Sequence, residues 1–272
     1  MTARPGSEAR ASLGWELRHG YGDAVHILDN LYLLTALARL SGPDVRHPEL
    51  VGVLRQIYQV LMVAVAGREF AGVRTESPTR MVERHPVEGV YRGDVLDPRT
   101  RVVIVDVIRA GIVPAQVCFE MLGSVLASEN VRLDHLTMAR LSDENGQVVG
   151  VDLQGSKIGG SVEGATLLLP DPMGATGSTT LRAVSHYLEH HGRPARIVAM
   201  PMIATPEYLR AVCAGIEDIV VYTARLDRGL SAPEVLECIP GERWGEERGL
   251  NEAGYIVPGA GGLGEVLNNS WC

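Results

Sequence analysis

Cysteine is sparse in this 272-residue chain, and the four that occur, Cys118, Cys213, Cys238 and Cys272, are widely separated with no C-x-x-C pair and no clustered histidine. That spacing argues against a zinc site and against a disulfide framework. A basic excess is also missing: 25 Lys and Arg face 33 Asp and Glu, for a net charge of −8. Non-specific nucleic-acid binding draws on a basic surface and is therefore disfavoured, whereas a small polyanion needs only a few local donors. No uninterrupted apolar run reaches the ~18 residues of a membrane span, and the opening MTARPGSEARASLGWELRHG has no apolar signal-type core. A reduced, cytoplasmic protein with neither membrane nor nucleic acid as partner is expected. Aromatics amount to only 5%, while glycine contributes 31 residues, a composition common where helices pack closely on a sheet.

With 46% hydrophobic residues, the chain can bury one substantial core. Residues 1–12, rich in Ala, Arg, Ser, Gly and Pro, read as a disordered tail, and residues 13–272 as a single domain. Apolar residues from Val25 to Leu40 recur mostly every three or four positions and predict a helix, stopped by Ser41-Gly42-Pro43; a second helix is expected over 47–65. Residues 67–98 are polar and turn-rich, with room for peripheral strands. Strands are then predicted over 101–108, 133–141, 166–169, 197–202 and 219–222, with helices over 114–126 and 178–191. Between Ser142 and Gly164, the Asn145-Gly146 turn and further glycines suggest a projecting β-arm. The fold class expected from this alternation is α/β, a mainly parallel sheet flanked by helices. Its core would span about 98–225, with a small C-terminal hood over about 226–272 joined by the N-terminal helices. Ligands in such sheets bind beyond the strand carboxyl ends, where Arg109, Arg140, Asp171 and Thr205 all fall.

The stretch TLLLPDPMGATGSTT, Thr166 to Thr180, carries the most information. A short apolar strand runs into Asp171, and a small-residue loop then opens a helix, so successive N–H groups can face an anion. Thr176, Ser178 and Thr179 add hydroxyls. Without a P-loop lysine or a G-x-G-x-x-G spacing, ATP and dinucleotide readings fit poorly. A plain strand-to-helix turn with Asp171 as a helix cap would also suit the bare pattern.

Residues 171–179, DPMGATGST, resemble the DPM-x-ATGGS signature of uracil phosphoribosyltransferases, with Ser178 in place of the second glycine and Thr179 in place of the serine. In the same order, Val105 to Gly111 resembles the strand ending in "LRAG", and Gly249 to Gly259 resembles the base-binding segment "GLNExGYIIPG". The resemblance implies a phosphoribosyltransferase-like core that converts uracil and 5-phosphoribosyl-1-pyrophosphate (PRPP) to UMP and pyrophosphate in pyrimidine salvage. Mg²⁺ would arrive with PRPP rather than in a protein cage, and the chain would form a homodimer or higher homo-oligomer. Asp171 and Arg109 would be the catalytic pair. PRPP would be held by Arg109, Ala110, Gly111, Arg140, Asp171, Ala175, Thr176, Gly177, Ser178 and Thr179, and the base by Met173, Tyr255, Ile256 and Gly261. Asp171 would hold the ribose hydroxyls, the loop from Ala175 the 5′-phosphate, and the arginine forks the diphosphate.

Several positions depart from the family pattern. Pro170 stands where an aliphatic residue is usual, and Ala139 where "MYRDEE" has tyrosine; Arg39 lacks the following Asp of "LRD". Lys157 can either reach the site from the arm or simply face water. Where the family continues "GxGDxGD", Gly262 replaces the first Asp and Glu265 the second. Ser231 to Arg248 forms an apparent insertion before Gly249. The Gly262 change leaves three expectations open: weak or compensated uracil turnover with Glu265 in the acid's place, a different base, or a regulatory protein that binds PRPP without turnover.

Overall fold

The computed structural model describes residues 15–142 and 148–270. The expected N-terminal tail and the Asn145-Gly146 turn lie outside them. In chain order the elements are β1 (Val25–Ile27), α1 (Leu31–Leu40), α2 (Glu49–Glu69), β2 (Gly72–Pro78), β3 (Val90–Leu96), β4 (Val102–Ile108), α3 (Ile112–Gly123), β5 (Val131–Ser142), β6 (Val148–Lys157), β7 (Thr166–Leu169), β8 (Met173–Gly174), α4 (Ser178–His190), β9 (Arg196–Ala199), β10 (Ile203–Ala204), α5 (Pro206–Gly215), β11 (Ile219–Thr223), β12 (Arg225–Leu226), α6 (Pro233–Leu236) and α7 (Leu263–Asn268).

The main sheet runs β1-β11-β9-β7-β4-β5-β6. All its pairings are parallel except β5 with β6. The fold is thus α/β with a mainly parallel sheet, and helices cover both faces. Residues Val102, Ile104, Leu168, Val198 and Val220 pack with α1, α2, α3 and α7, while Val103, Val105, Leu167 and Val221 pack with α4 and α5. Burial on both faces explains the uninterrupted Val/Ile/Leu runs of β4 and β7. Helix α2 is long and apolar enough to cross a membrane by length and composition, but Leu54, Ile57, Tyr58 and Leu61 on its inner face are fully buried in the core.

The helix expected from Val25 begins six residues later. Val25–Ile27 is instead the parallel partner of β11, and Asn30 starts α1 by accepting the N–H groups of Tyr32 and Leu33 at 3.0 and 3.3 Å. Three apolar residues before a cap satisfy a helical spacing equally well, and the free edge of β11 decides between them. Of the expected arm over Ser142–Gly164, Val148–Lys157 forms β6, which pairs antiparallel with the longer β5 and closes the sheet edge. Residues 67–98 contribute a separate two-stranded hairpin, β2 with β3, mostly exposed.

The inserted stretch Ser231–Arg248 is folded around one buried ion pair. Glu247, 0% exposed, accepts from Arg228 Nη1 at 2.9 Å, from the Gly241 N–H at 2.9 Å and from the Tyr21 hydroxyl. Arg228 also donates to the carbonyls of Val235, Leu236 and Cys238. Trp244 docks the segment on α5: its indole N–H donates to Pro206 O at 3.0 Å, its ring lies 5.9 Å from the Arg210 guanidinium, and Tyr21 meets it edge-on at 5.0 Å. Replacing Glu247 with Ala strands Arg228 without its counter-charge, and breaking such a pair costs about 3–5 kcal/mol. Urea unfolding of Glu247→Ala should show a loss of that order; a change below about 1 kcal/mol would contradict the assigned role.

Candidate functional site

The cleft lies beyond the carboxyl ends of β7 and β4, where parallel pairing delivers its polar residues. After Leu169 the chain turns through Pro170-Asp171-Pro172, and the Asp171 carboxylate accepts the Met173 N–H at 3.4 Å. Met173 and Gly174 then pair with β10, which also pairs with β12, forming a small parallel sheet above the main one. Thr205 fixes the next turn. Its N–H donates to Gly174 O at 3.0 Å, its hydroxyl donates to Ala175 O at 2.6 Å, and the same oxygen accepts the Tyr208 N–H at 2.9 Å to cap α5.

Gly177 follows with φ of +85°, where a side chain is strained, and a Cβ there would lie 3.1 Å from both the Ala211 and Val212 side chains. This close approach aims the start of α4 at the cleft with no side-chain cap on its amides from Gly177. The Thr176 hydroxyl accepts the Ser178 N–H at 3.3 Å and lies 3.0 Å from the Ser178 hydroxyl. Asp171, Met173, Thr176, Thr179, Tyr208 and Gly254 line the cleft, and Val151 of β6 reaches it from the hairpin. Beneath Asp171 are two buried phenols. The Tyr58 hydroxyl donates to Met200 O at 2.9 Å, and that of Tyr208 lies 3.2 Å from Thr180 Oγ1. Burial, reinforced by the Asp171 charge, raises the pKa of each well above its ordinary value, so both stay neutral.

Arg109, Ala110 and Gly111 form the turn from β4 into α3. Gly111 approaches its own strand so closely that a Cβ would fall 2.7 Å from Val107 O. Arg109 Nη1 donates to the Ser270 carbonyl and hydroxyl at 3.2 and 3.1 Å, while Gly264 of α7 faces Ala110. The C-terminal segment therefore covers this loop. Arg140 is in β5 opposite Val151; its side chain lies outside the described part. Arg39 is engaged by Glu49 at 2.6 Å, and Lys157 stands opposite His135 in the β5–β6 register.

The segment Gly249–Gly259 is held from both ends. The Gly249 N–H donates to the Glu207 carboxylate at 3.0 and 3.1 Å. Asn251 Oδ1 accepts from the N–H groups of Ala253 and Tyr255, shaping the tip. At the far end, Asp227 accepts the Gly259 N–H at 2.7 Å and Arg225 donates to Gly259 O at 3.0 Å, while those two side chains form a bidentate pair. Gly254 reaches the cleft lining. Tyr255 is 43% exposed, Ile256 is buried in the core and Gly261 is exposed, so Ile256 can meet a ligand only through its backbone. A Cβ added at Gly262 would fall on the Glu265 carboxylate.

The structure thus gathers Asp171, Met173, Ala175, Thr176, Gly177 and Thr179 on one cleft wall. Ser178 is on the adjoining first turn of α4, and Arg109–Gly111 occupies the neighbouring strand end. Thr205 falls at the expected strand-end edge, though its clamp on the loop was not anticipated; Tyr208 beneath the loop and the Arg225–Asp227 pair were not anticipated as parts of the site. Only Thr205-Pro206-Glu207 carried a local signal, that of a capped helix start.

A family model described as uracil phosphoribosyltransferase matches residues 29–241, ending just before the Gly249–Gly259 segment. A uracil phosphoribosyltransferase from Pyrobaculum arsenaticum is 29% identical over 241 residues, covering 89% of this chain and 97% of that one. Another, from Thermococcus gammatolerans, is 28% identical over 174 residues, 64% of each chain. Among solved structures, the AQ2163 protein from Aquifex aeolicus superposes with a TM-score of 0.67 at 21% identity, over 89% of this chain and 97% of its own. That likeness concerns the fold.

Two substitutions test the loop scaffold. Thr205→Val removes the cap and the Ala175 clamp and should cost about 1–2 kcal/mol, and Gly177→Ala should cost at least about 1 kcal/mol through strain and crowding. Unchanged thermal midpoints would show that neither contact holds the loop.

Proposed function

Because the chain belongs to the uracil phosphoribosyltransferase family, we propose that this transferase joins uracil to the phosphoribosyl group of PRPP, giving UMP and pyrophosphate. The observation that carries the reading is the cleft wall itself: a carboxylate at a strand end, followed by a hydroxyl-rich loop entering the start of α4, where Thr176 engages only the Ser178 amide. In this reading the loop from Ala175 to Thr179 holds the 5′-phosphate. Asp171 binds the ribose hydroxyls and stabilises positive charge developing on the sugar as the diphosphate leaves. Arg109, with Ala110 and Gly111, and Arg140 hold the departing diphosphate. Arg109 must then exchange its Ser270 contacts for phosphate oxygens.

Among the described residues no three His, Cys, Asp or Glu side chains converge as metal ligands. A Mg²⁺ ion entering with PRPP would draw its oxygens mainly from the substrate and water, and Asp171 lines the cleft it would enter. Such an ion supplies neutralising charge to the diphosphate. The base would sit between Met173 and the Gly254–Gly261 segment, read by backbone groups that reject the wrong donor pattern. A cytoplasmic homodimer or higher oligomer accords with this reading.

Gly262 supports a second reading, turnover of another base or PRPP binding without turnover. Against it, the Glu265 carboxylate fills the space where an acid on residue 262 would begin, so in the leading reading Glu265 supplies the missing charge. Incubation of the protein with Mg²⁺, PRPP and separate uracil, cytosine, thymine and purine bases decides between the readings. UMP from uracil alone is expected, and product from another base only, or none despite PRPP binding, would overturn it. Asp171→Asn should lower turnover at least about 100-fold while leaving the melting temperature nearly unchanged; parallel losses would make Asp171 structural. Glu265→Gln should lower turnover about 10-fold or more, with Gly262→Asp in an Glu265→Ala background recovering part of it. Full activity in Glu265→Gln would remove the compensation.

A further inference from the structure

Asp106 is a buried acid that the proposed reaction does not use. It lies in β4, three residues before Arg109, and is 3% exposed. Its Oδ2 meets His135 Nδ1 at 2.8 Å across the β4–β5 register, while Oδ1 is buried without a hydrogen-bond partner. That oxygen is aimed at the turn above: a Cβ on Gly111 would lie 3.2 Å from it. A carboxylate beneath a loop that must accept a diphosphate is electrostatically unfavourable unless something offsets its charge.

His135 can do so reversibly. Its side chain is 44% exposed, so its outer nitrogen can exchange protons with solvent while Nδ1 faces Asp106. Burial raises the pKa of Asp106 and the His135 hydrogen bond opposes that rise. The other charges that face this pair are few. Lys157 stands opposite His135 on β6, Arg109 follows on β4, and the titratable groups of α3 are Cys118, buried and pushed up to about 12, and Glu120, bound to Arg55 and Gln116. Asp134 and Tyr187 bond each other on the opposite face of the sheet.

We infer that Asp106 and His135 form a positioning pair behind the Arg109–Gly111 loop, neutral together when His135 is protonated and negative when it is not, which sets the affinity of that loop for a diphosphate. This rests on the reading of Arg109–Gly111 as the diphosphate loop. Protonation of His135 removes a net negative charge beneath the ligand, so binding is tighter at low pH than at high pH. By linkage, diphosphate binding favours proton uptake by the pair.

The test is the affinity of the full chain for inorganic pyrophosphate with Mg²⁺, by calorimetry from about pH 5.5 to 8.5. Expressing each variant as a ratio to wild type at the same pH cancels the probe's own titration. The double variant Asp106→Asn/His135→Gln, whose pair is neutral at every pH, should match wild type at low pH and bind about 3–10-fold more tightly at high pH. His135→Gln keeps a donor to Asp106 but cannot charge, and should bind more weakly than wild type at low pH by a similar factor and match it at high pH. Opposite deviations of two folded variants would not arise from a general packing defect. Ratios that do not vary with pH would overturn the inference while leaving the diphosphate loop intact. Failure of wild type to bind pyrophosphate at any pH would remove the loop reading and this inference with it.

Discussion

Parallel pairing is the constraint from which the site follows. Once β1, β11, β9, β7, β4 and β5 run in one direction, the chain returns between them through helices, or after β5 through the antiparallel β6, and the carboxyl ends are delivered to one edge. Asp171 after β7, Arg109 after β4 and Thr205 after β10 become neighbours although about sixty and thirty residues separate them in sequence. The loops at that edge cannot bond the sheet itself, so their backbone groups are tied down by side chains instead. Thr205 anchors the Gly174–Ala175 carbonyls, and Glu207, Asp227 and Arg225 anchor the amides and carbonyl of Gly249 and Gly259. These anchors all come from residues 205–227, from the end of β10 to just past β12, so the support of the site is concentrated in one piece of chain.

Such concentration couples elements that look independent. α5 is capped by the same Thr205 oxygen that holds the Ala175 loop, and the Ser231–Arg248 segment docks on the first turns of that helix through Trp244. The C-terminal residues reach the other side of the cleft, where Ser270 meets Arg109. The cleft is therefore bounded by contacts of two kinds, buried and charge-balanced on the α5 side, and short-range and exposed on the Arg109 side. The second kind is the more readily exchanged for a ligand.

Much of this architecture was legible in the residues. β7 and the turn at Gly177 carry local information: an apolar run, an acid, then small residues whose backbone geometry few alternatives satisfy. β4 and β11 were legible for the same reason. Val25–Ile27 was not, because Val25, Ile27 and Leu28 fit either period and the free edge of β11, almost two hundred residues away, settles the matter. The Glu247–Arg228 pair was not legible, since sequence shows charge but not burial. Asp106 and His135 were equally opaque: each sits in an apolar strand, and only the register of β4 against β5 shows that they face one another.

Trp244 gives this arrangement an optical handle. The protein has three tryptophans, and this one is clasped between Tyr21, Arg210 and the Pro206 carbonyl, one residue from the Thr205 clamp. An indole between a cation and an aromatic edge emits according to that local field, so a shift in the first turn of α5 alters its fluorescence. A displacement of that turn can thereby be followed in the unlabelled protein, through a residue outside the cleft lining.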